Sequence, residues 1–274
     1  MKTSSELKRR ARRNLKGRYG LCIGIQFLVG AVLLAISLVY VLTSFSMGLV
    51  DPFSAGTQNI SAGYMAVRAG IYLSFLAVLS IYSLFMPGIL KIYLNICTGH
   101  TARLSDLLFA FQNKPHKFIG LYFINVLIGF IWAIPYFVVL AVALITDFIP
   151  VMVVLLVLTY LLLLIGSIIT MLFLSQAMFL LIESPNQRLW NCLKESVRMM
   201  KGNKGRLFYL YLSFFGMIIL GYCSLGIGFL WVFPYIQATV TEYYLDLKEQ
   251  LSHNSPERGR EVSFESMWNQ ENQW

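Results

Sequence analysis

The sequence predicts an all-α membrane protein: a polytopic bundle of about six transmembrane helices with three cytoplasmic interfacial amphipathic helices. Of its 274 residues, 57% are hydrophobic and only 13% are charged. That is about half the charged fraction of a soluble domain, which leaves too little polar surface to cover a globule in water. The apolar residues form long runs. The basic residues, which give a net charge of +9, cluster between those runs.

Each apolar run approaches or exceeds the roughly 20 residues that cross a bilayer. The six predicted spans lie at about 20–47, 67–97, 118–146, 150–182, 206–223 and 227–246, in one membrane domain, 1–251. The first span is too long for the core of a cleaved signal peptide. The polar segment 252–274 is predicted to be a disordered cytoplasmic tail.

The distribution of lysine and arginine predicts the orientation, because these residues accumulate on the cytoplasmic side. Eight precede the first span and six lie between the fourth and fifth spans, whereas the opposite face offers only Arg68. We therefore expect both termini to be cytoplasmic.

Each cytoplasmic connection contains a short amphipathic segment, and such segments are typical of helices that lie in the membrane interface. In the third, Ser184 is expected to cap the helix and Pro185 to occupy its first position. The predicted apolar stripes are Leu7, Ala11 and Leu15 in the first segment, Leu107, Leu108 and Phe111 in the second, and Leu189, Trp190, Leu193, Val197 and Met200 in the third.

A lysine-containing corner follows each segment: Lys16-Gly17, Lys114-Pro115 and Lys201-Gly202. Glycine and proline permit the change of direction from the membrane surface into a span. The pattern Lys-Gly-x-x-Gly occurs twice. When the three segments are aligned on these lysines, the chain is predicted to consist of one unit repeated three times. Each unit is a surface helix followed by a helical hairpin. The stripes align only with a one-residue shift, so a true triplication and a chance similarity both stay open.

Several short motifs resemble a bacterial integral membrane family catalogued as domain of unknown function 975. They are Met200-Lys201-Gly202-Asn203-Lys204, Leu212-Ser213-Phe214, Gly226-Ile227-Gly228 and Pro234-Tyr235. The similarity covers nearly the whole chain. It implies a multi-pass protein of the bacterial cytoplasmic membrane and implies no activity.

Nine basic residues at the corners and the first surface helix are predicted to contact lipid headgroups, because cations near an anionic surface are attracted to it. The expected partners are the lipid bilayer with its anionic lipids and a possible membrane protein partner; neither nucleic acid nor a cofactor is expected. The nine residues are Lys8, Arg9, Arg12, Arg13, Lys16, Lys114, Lys117, Lys201 and Lys204.

Polar side chains inside spans are functional candidates, because placing them in lipid costs free energy. Lys91 can alternatively extend its amine to the interface. The amides of residues 26, 125 and 176 can either stabilise the bundle or line a path. The candidates are Gln26, Lys91, Asn95, Asn125 and Gln176.

Three prolines, Pro87, Pro135 and Pro234, fall inside predicted spans and are expected to kink them. These kinks serve either helix packing or a gate. The chain is predicted to be a non-enzymatic membrane protein that binds anionic lipid or a partner at the cytoplasmic face. The alternative is a small transporter or exporter component with a path lined by the kinked helices. An intramembrane enzyme is disfavoured, since no predicted span contains histidine.

Overall fold

The fold is all-α, as the sequence predicts. The structure, a computed structural model, describes residues 2–54, 70, 83–146 and 148–254, and every regular element within these ranges is helical. The elements are α1 (Ser4–Leu15), α2 (Tyr19–Ser54), α3 (Ser83–Thr98), a 3-10 helix (Leu104–Leu108), α4 (Phe109–Gln112), α5 (Pro115–Ile145), α6 (Pro150–Leu174), α7 (Ala177–Glu183), α8 (Leu189–Met200), α9 (Lys204–Leu212), α10 (Phe215–Cys223) and α11 (Phe229–Asn254).

Four helical segments in the described ranges are long and apolar enough to cross a membrane: Tyr19–Leu42, Pro115–Ile145, Pro150–Glu183 and Lys204–Cys223. They correspond to the first, third, fourth and fifth predicted spans. Of the second, residues 83–97 lie in α3 and the rest falls outside the described residues, as does the predicted tail from 255 onward.

The sixth predicted span corresponds to α11, which differs from the other spans in its environment. Its second half carries Thr239, Thr241, Glu242 and Asp246, which lower its hydropathy below that of a membrane-crossing segment. These side chains are buried in the protein. The polarity of α11 is therefore accommodated by other helices of the same chain.

The surface helices lie together at one end of the bundle, called here the basic end. α8 and the middle segment each pack against the second helix of the hairpin before them, whereas α1 packs against the last long helix. α8 packs on α6 and α7, and α1 packs on α11. The 3-10 helix and α4 meet α3, where the Asn95 amide donates to Asp106 at 3.0 Å and the ring of Phe85 contacts that of Phe111. The first surface helix therefore packs on the last long helix, which brings the two ends of the described chain into contact.

The first and third surface helices are structurally equivalent. α1 and α8 each have 12 residues, and one shift of 185 (189 minus 4) brings both α1 onto α8 and the start of α2 onto that of α9. Six buried positions match without an insertion: Leu7, Ala11, Leu15, Cys22, Ile25 and Val29 in the first unit and Cys192, Ser196, Met200, Leu207, Leu210 and Phe214 in the third. α8 also buries Leu193 and Met199, which correspond to the partly exposed Lys8 and Asn14.

The two Lys-Gly corners are the same type II turn. Lys16 has φ −60° and ψ 122° and Lys201 has φ −66° and ψ 116°. The following glycines, Gly17 and Gly202, have φ of 82° and 88°, which this turn requires at its third position. The middle corner differs: Lys114 itself is left-handed, at φ 52°, and Pro115 opens α5.

Two details of the predicted third unit are wrong. α8 begins at Leu189 with Arg188 as its N-cap, so Ser184 and Pro185 belong to a turn before it. The predicted apolar stripe is also wrong in part, although Leu193 and Met200 are buried as expected. Trp190 and Val197 are exposed, and the buried face instead includes the small polar Ser196, which hydrogen-bonds the Phe173 carbonyl at 2.7 Å. With that face corrected, the stripes of the first and third units align without the one-residue shift.

Candidate functional site: the basic end

α1 is a helix with a capped N-terminus, and its apolar face packs against the protein. Thr3 and Glu6 form a capping box, in which the Thr3 hydroxyl accepts from the Glu6 amide and the Glu6 carboxylate accepts from the Thr3 amide. These hydrogen bonds hold the pKa of Glu6 below its ordinary value. The side chains of Leu7, Ala11 and Leu15 have no exposed surface. The stripe expected to face the membrane therefore faces the protein, chiefly α11.

Polar contacts hold the start of α1 against the end of α11. The backbone N–H of Lys2 donates to the Asp246 carboxylate at 3.3 Å, and its amine pairs with Glu249 at 2.5 Å. Arg206 of α9 donates to the Lys2 carbonyl and to Asp246. The hydrogen bond from Lys2 keeps the pKa of Glu249 low.

Two predicted headgroup ligands on α1 contact the protein instead of only solvent. Lys8 donates to the Ser213 carbonyl at 3.0 Å and lies 4.1 Å from the centre of the Phe214 ring. Partial burial lowers the pKa of Lys8. Arg12 lies over the Tyr235 ring at 5.4 Å and keeps an exposed surface. Lys8 is therefore mainly an internal anchor, and Arg12 combines packing with exposure.

The outer surfaces of α1 and α8 carry matching basic residues. Arg9, Arg13 and Lys16 are exposed on α1, spaced by four and three residues, so they follow one face of the helix. The shift of 185 places Lys194, Arg198 and Lys201 at the same positions, and all three are exposed. We call these the α1 ridge (Arg9, Arg13, Lys16) and the α8 ridge (Lys194, Arg198, Lys201).

Sequence reasoning missed Lys194 and Arg198 as site residues. The available signal was their spacing to Lys201, which repeats that of Arg9 and Arg13 to Lys16. The one-residue shift concealed the match.

Three other lysines predicted to contact headgroups, Lys114, Lys117 and Lys204, instead contact other parts of the protein. Lys114 pairs with the Asn186 side chain at 2.6 Å, and Lys117 donates to the Pro185, Asn186 and Gln187 carbonyls. Lys204 lies 3.6 Å from the centre of the Phe173 ring. Lys114 and Lys117 thus fix the turn before α8.

The predicted intramembrane polar residues have separate partners. The Gln26 amide donates to the Phe229 carbonyl at 3.4 Å, and that of Asn125 to the Leu121 carbonyl of its own helix at 2.9 Å. The amide of Gln176, which is buried at the start of α7, donates to the Ser175 hydroxyl at 2.7 Å. No hydrogen bond joins these three side chains to one another in the described residues.

Lys91 and Asn95 lie on α3 and face the middle surface segment. The Lys91 amine lies over the Phe109 ring at 5.1 Å, and Asn95 binds Asp106. Pro135 and Pro234 lie inside α5 and α11, and Pro87 lies within α3. Within the described part of the chain, no three His, Cys, Asp or Glu side chains are grouped so that they can hold a metal ion.

One protein family matches most of the chain. A family model described as "Protein of unknown function (DUF975)" matches residues 1–251. The chain belongs to this family. The match ends close to the end of α11, so every helix described above lies almost wholly within the family's boundaries. Searches of the curated proteins and of the solved structures gave no match.

Proposed function

We propose that this member of the family is a non-enzymatic protein of the bacterial cell membrane whose basic end lies at the cytoplasmic face and binds anionic lipid. The observation that carries the proposal is the repetition of the basic ridge. Two helices far apart in sequence place three exposed cations at the same positions, while their inner faces differ in chemistry. Cations that only set the orientation of a span need no such regular spacing.

Anionic headgroups fit the ridges better than an apolar partner does. Each Lys or Arg near an anionic surface contributes about 1 kcal/mol. A ridge of three cations therefore contributes about 3 kcal/mol, or roughly a hundredfold in affinity, and this contribution decreases with salt. On the α8 ridge, Trp190 is 64% exposed, and tryptophan is a favoured residue of membrane interfaces.

The transport hypothesis gains no support from the three amides, because Gln26, Asn125 and Gln176 have different partners. A membrane protein partner with an acidic cytoplasmic segment is the other ligand that the ridges fit. The lipid experiment distinguishes the two, since it contains no second protein.

The test compares lipid retention by full-length variants in nanodiscs or detergent that contain equal amounts of phosphatidylglycerol and phosphatidylcholine. One variant carries glutamine at the three positions of the α1 ridge, and one at the three positions of the α8 ridge. The control carries glutamine at Lys248, Arg258 and Arg260, with the same loss of charge. We expect each ridge variant to lose about half of the excess phosphatidylglycerol and the control to keep it. Equal retention by all variants contradicts the proposal.

A further inference from the structure

A cleft with a mostly apolar lining and a few polar groups lies between α5 and α6, separate from the two ridges. Its volume is about 300 Å³, and it is lined by Asn125, Gly129, Trp132, Ser167, Thr170, Met171, Leu174 and Ser175. The Trp132 indole forms one wall and donates to the Thr170 hydroxyl at 3.0 Å. A Cβ at Gly166 would lie 2.2 Å from the Trp132 ring, so glycine is needed for the indole to lie against α6.

The hairpin concentrates its polar side chains in this cleft. From Phe118 to the end of α5 and throughout α6, the polar side chains other than aromatic ones are Asn125, Thr159, Ser167 and Thr170. Three of these four line the cleft. The fourth, Thr159, donates to the Leu155 carbonyl of its own helix at 2.8 Å. In so apolar a hairpin, polar groups in lipid cost free energy unless they have partners. Thr170 has one in the Trp132 indole, which leaves Asn125 and Ser167 to be considered.

The cleft retains unused hydrogen-bonding capacity. Asn125 uses one amide hydrogen on the Leu121 carbonyl, which leaves its Oδ1 and its second amide hydrogen. Ser167 makes no hydrogen bond within the described residues. An amide and a hydroxyl together provide both donors and acceptors. A hydroxyl group, which also donates and accepts, is the complementary ligand.

We infer that the cleft binds the hydroxyl-bearing headgroup of an uncharged lipid, of which diacylglycerol is the simplest representative. No charged side chain lines the cleft, so a phosphate there would have no counter-ion. Met171 and Leu174 supply an apolar wall for the chains of the lipid, and a Cβ at Gly129 meets no atom within 4 Å, so there is room beside it. This site does not depend on the ridges.

The experiment uses the full-length protein in nanodiscs that contain a photoreactive diacylglycerol. After illumination, mass spectrometry of peptides locates the label, which we expect between 121 and 132 and between 166 and 175. Asn125→Leu should lower the labelling about tenfold, the effect of losing one or two hydrogen bonds. Gly129→Leu, which fills the cleft and removes no polar group, should lower it as well. Thr159→Val is the matched control and should label like the wild type.

Competition distinguishes the headgroup from the chains. Unlabelled diacylglycerol should displace the probe, and phosphatidic acid with the same chains should not. Labelling unaffected by both substitutions overturns the inference. So does labelling lost only in Gly129→Leu, or equal competition by phosphatidic acid, because the cleft would then recognise the chains alone. Neutralising either ridge should leave the labelling unchanged, which separates this result from that of the proposed function.

Discussion

At the scale of single residues, the two Lys-Gly corners depend on backbone conformation alone. Gly17 and Gly202 occupy left-handed conformations, and a Cβ at either position meets no atom within 4 Å. Any cost of substitution there comes from backbone strain and not from a clash. Gly20 and Gly205, the second glycines of the same motifs, also have open space, but their φ is ordinary. Substitutions at Gly20 and Gly205 therefore serve as controls for the same substitutions at Gly17 and Gly202.

We expect Gly202→Ala to destabilise the protein by about 1 kcal/mol, because alanine in the left-handed region is strained. Gly205→Ala should be neutral or slightly stabilising, since this position lies in the first turn of α9 and alanine favours helix. The measurement is the thermal unfolding of both variants in the same detergent. Equal melting temperatures would show that the turn does not require glycine.

At the scale of elements, the sequence predicts the surface helices but not the surfaces on which they pack. The stripe of Leu7, Ala11 and Leu15 is compatible with a membrane interface and with a protein groove. The choice depends on α11, more than 220 residues later, whose Tyr243 and Tyr244 are buried in the same core. Local periodicity carries no information on such a distant contact. It also assigned part of the α8 face wrongly, because the buried face includes a polar residue, Ser196, while the exposed face carries Trp190 and Val197.

The packing of α1 also limits what the binding of its isolated peptide to vesicles can show about the intact protein. A peptide of residues 1–19 exposes an apolar stripe that the protein buries. Its affinity for vesicles therefore combines the α1 ridge with a surface that is not available in the intact chain. Only the salt-sensitive part of peptide binding bears on the proposed binding of anionic lipid.

We expect Ala11→Glu to release α1, because it places a carboxylate and a larger side chain where the residue has no exposed surface. Trypsin should then cleave at the arginines of α1 at least about tenfold faster than in the wild type. Ser5→Glu adds the same charge to the exposed face of the same helix and should leave cleavage slow. Equal rates for the two variants would mean that α1 is not held by its stripe.

At the scale of the whole molecule, composition and charge were sufficient for the fold class, which the helices of the structure confirm. The sixth span stays a prediction. The residues of α11 do not reveal that its second half is buried among other helices of the protein. Predicting that requires knowledge of which helices meet, and apolar runs alone do not specify it. The sequence marks Asn125, Ser167 and Thr170 as polar residues inside predicted spans, but their grouping in the cleft between α5 and α6 was not predictable, since it depends on the register of two helices.

The orientation stays a prediction that labelling can decide. In a background without cysteine, one variant carries a cysteine at Ile149, in the turn between α5 and α6, and another at Ser252, near the end of α11. An impermeant thiol reagent applied to intact cells should label position 149 and leave position 252 unlabelled, as the basic residues near the second position predict. Labelling restricted to position 252 would reverse the topology.

The contact of α1 with α11 also has a consequence for synthesis. Ribosomes release α1 first, yet the groove that receives it does not exist until the last helix has been translated. During that interval, Leu7, Ala11 and Leu15 have no protein partner, and the nascent chain carries an exposed apolar strip beside its densest cluster of arginines. A chain truncated before Phe229 would keep that strip exposed permanently. The packing of α1 is therefore completed only after the last long helix has been synthesised.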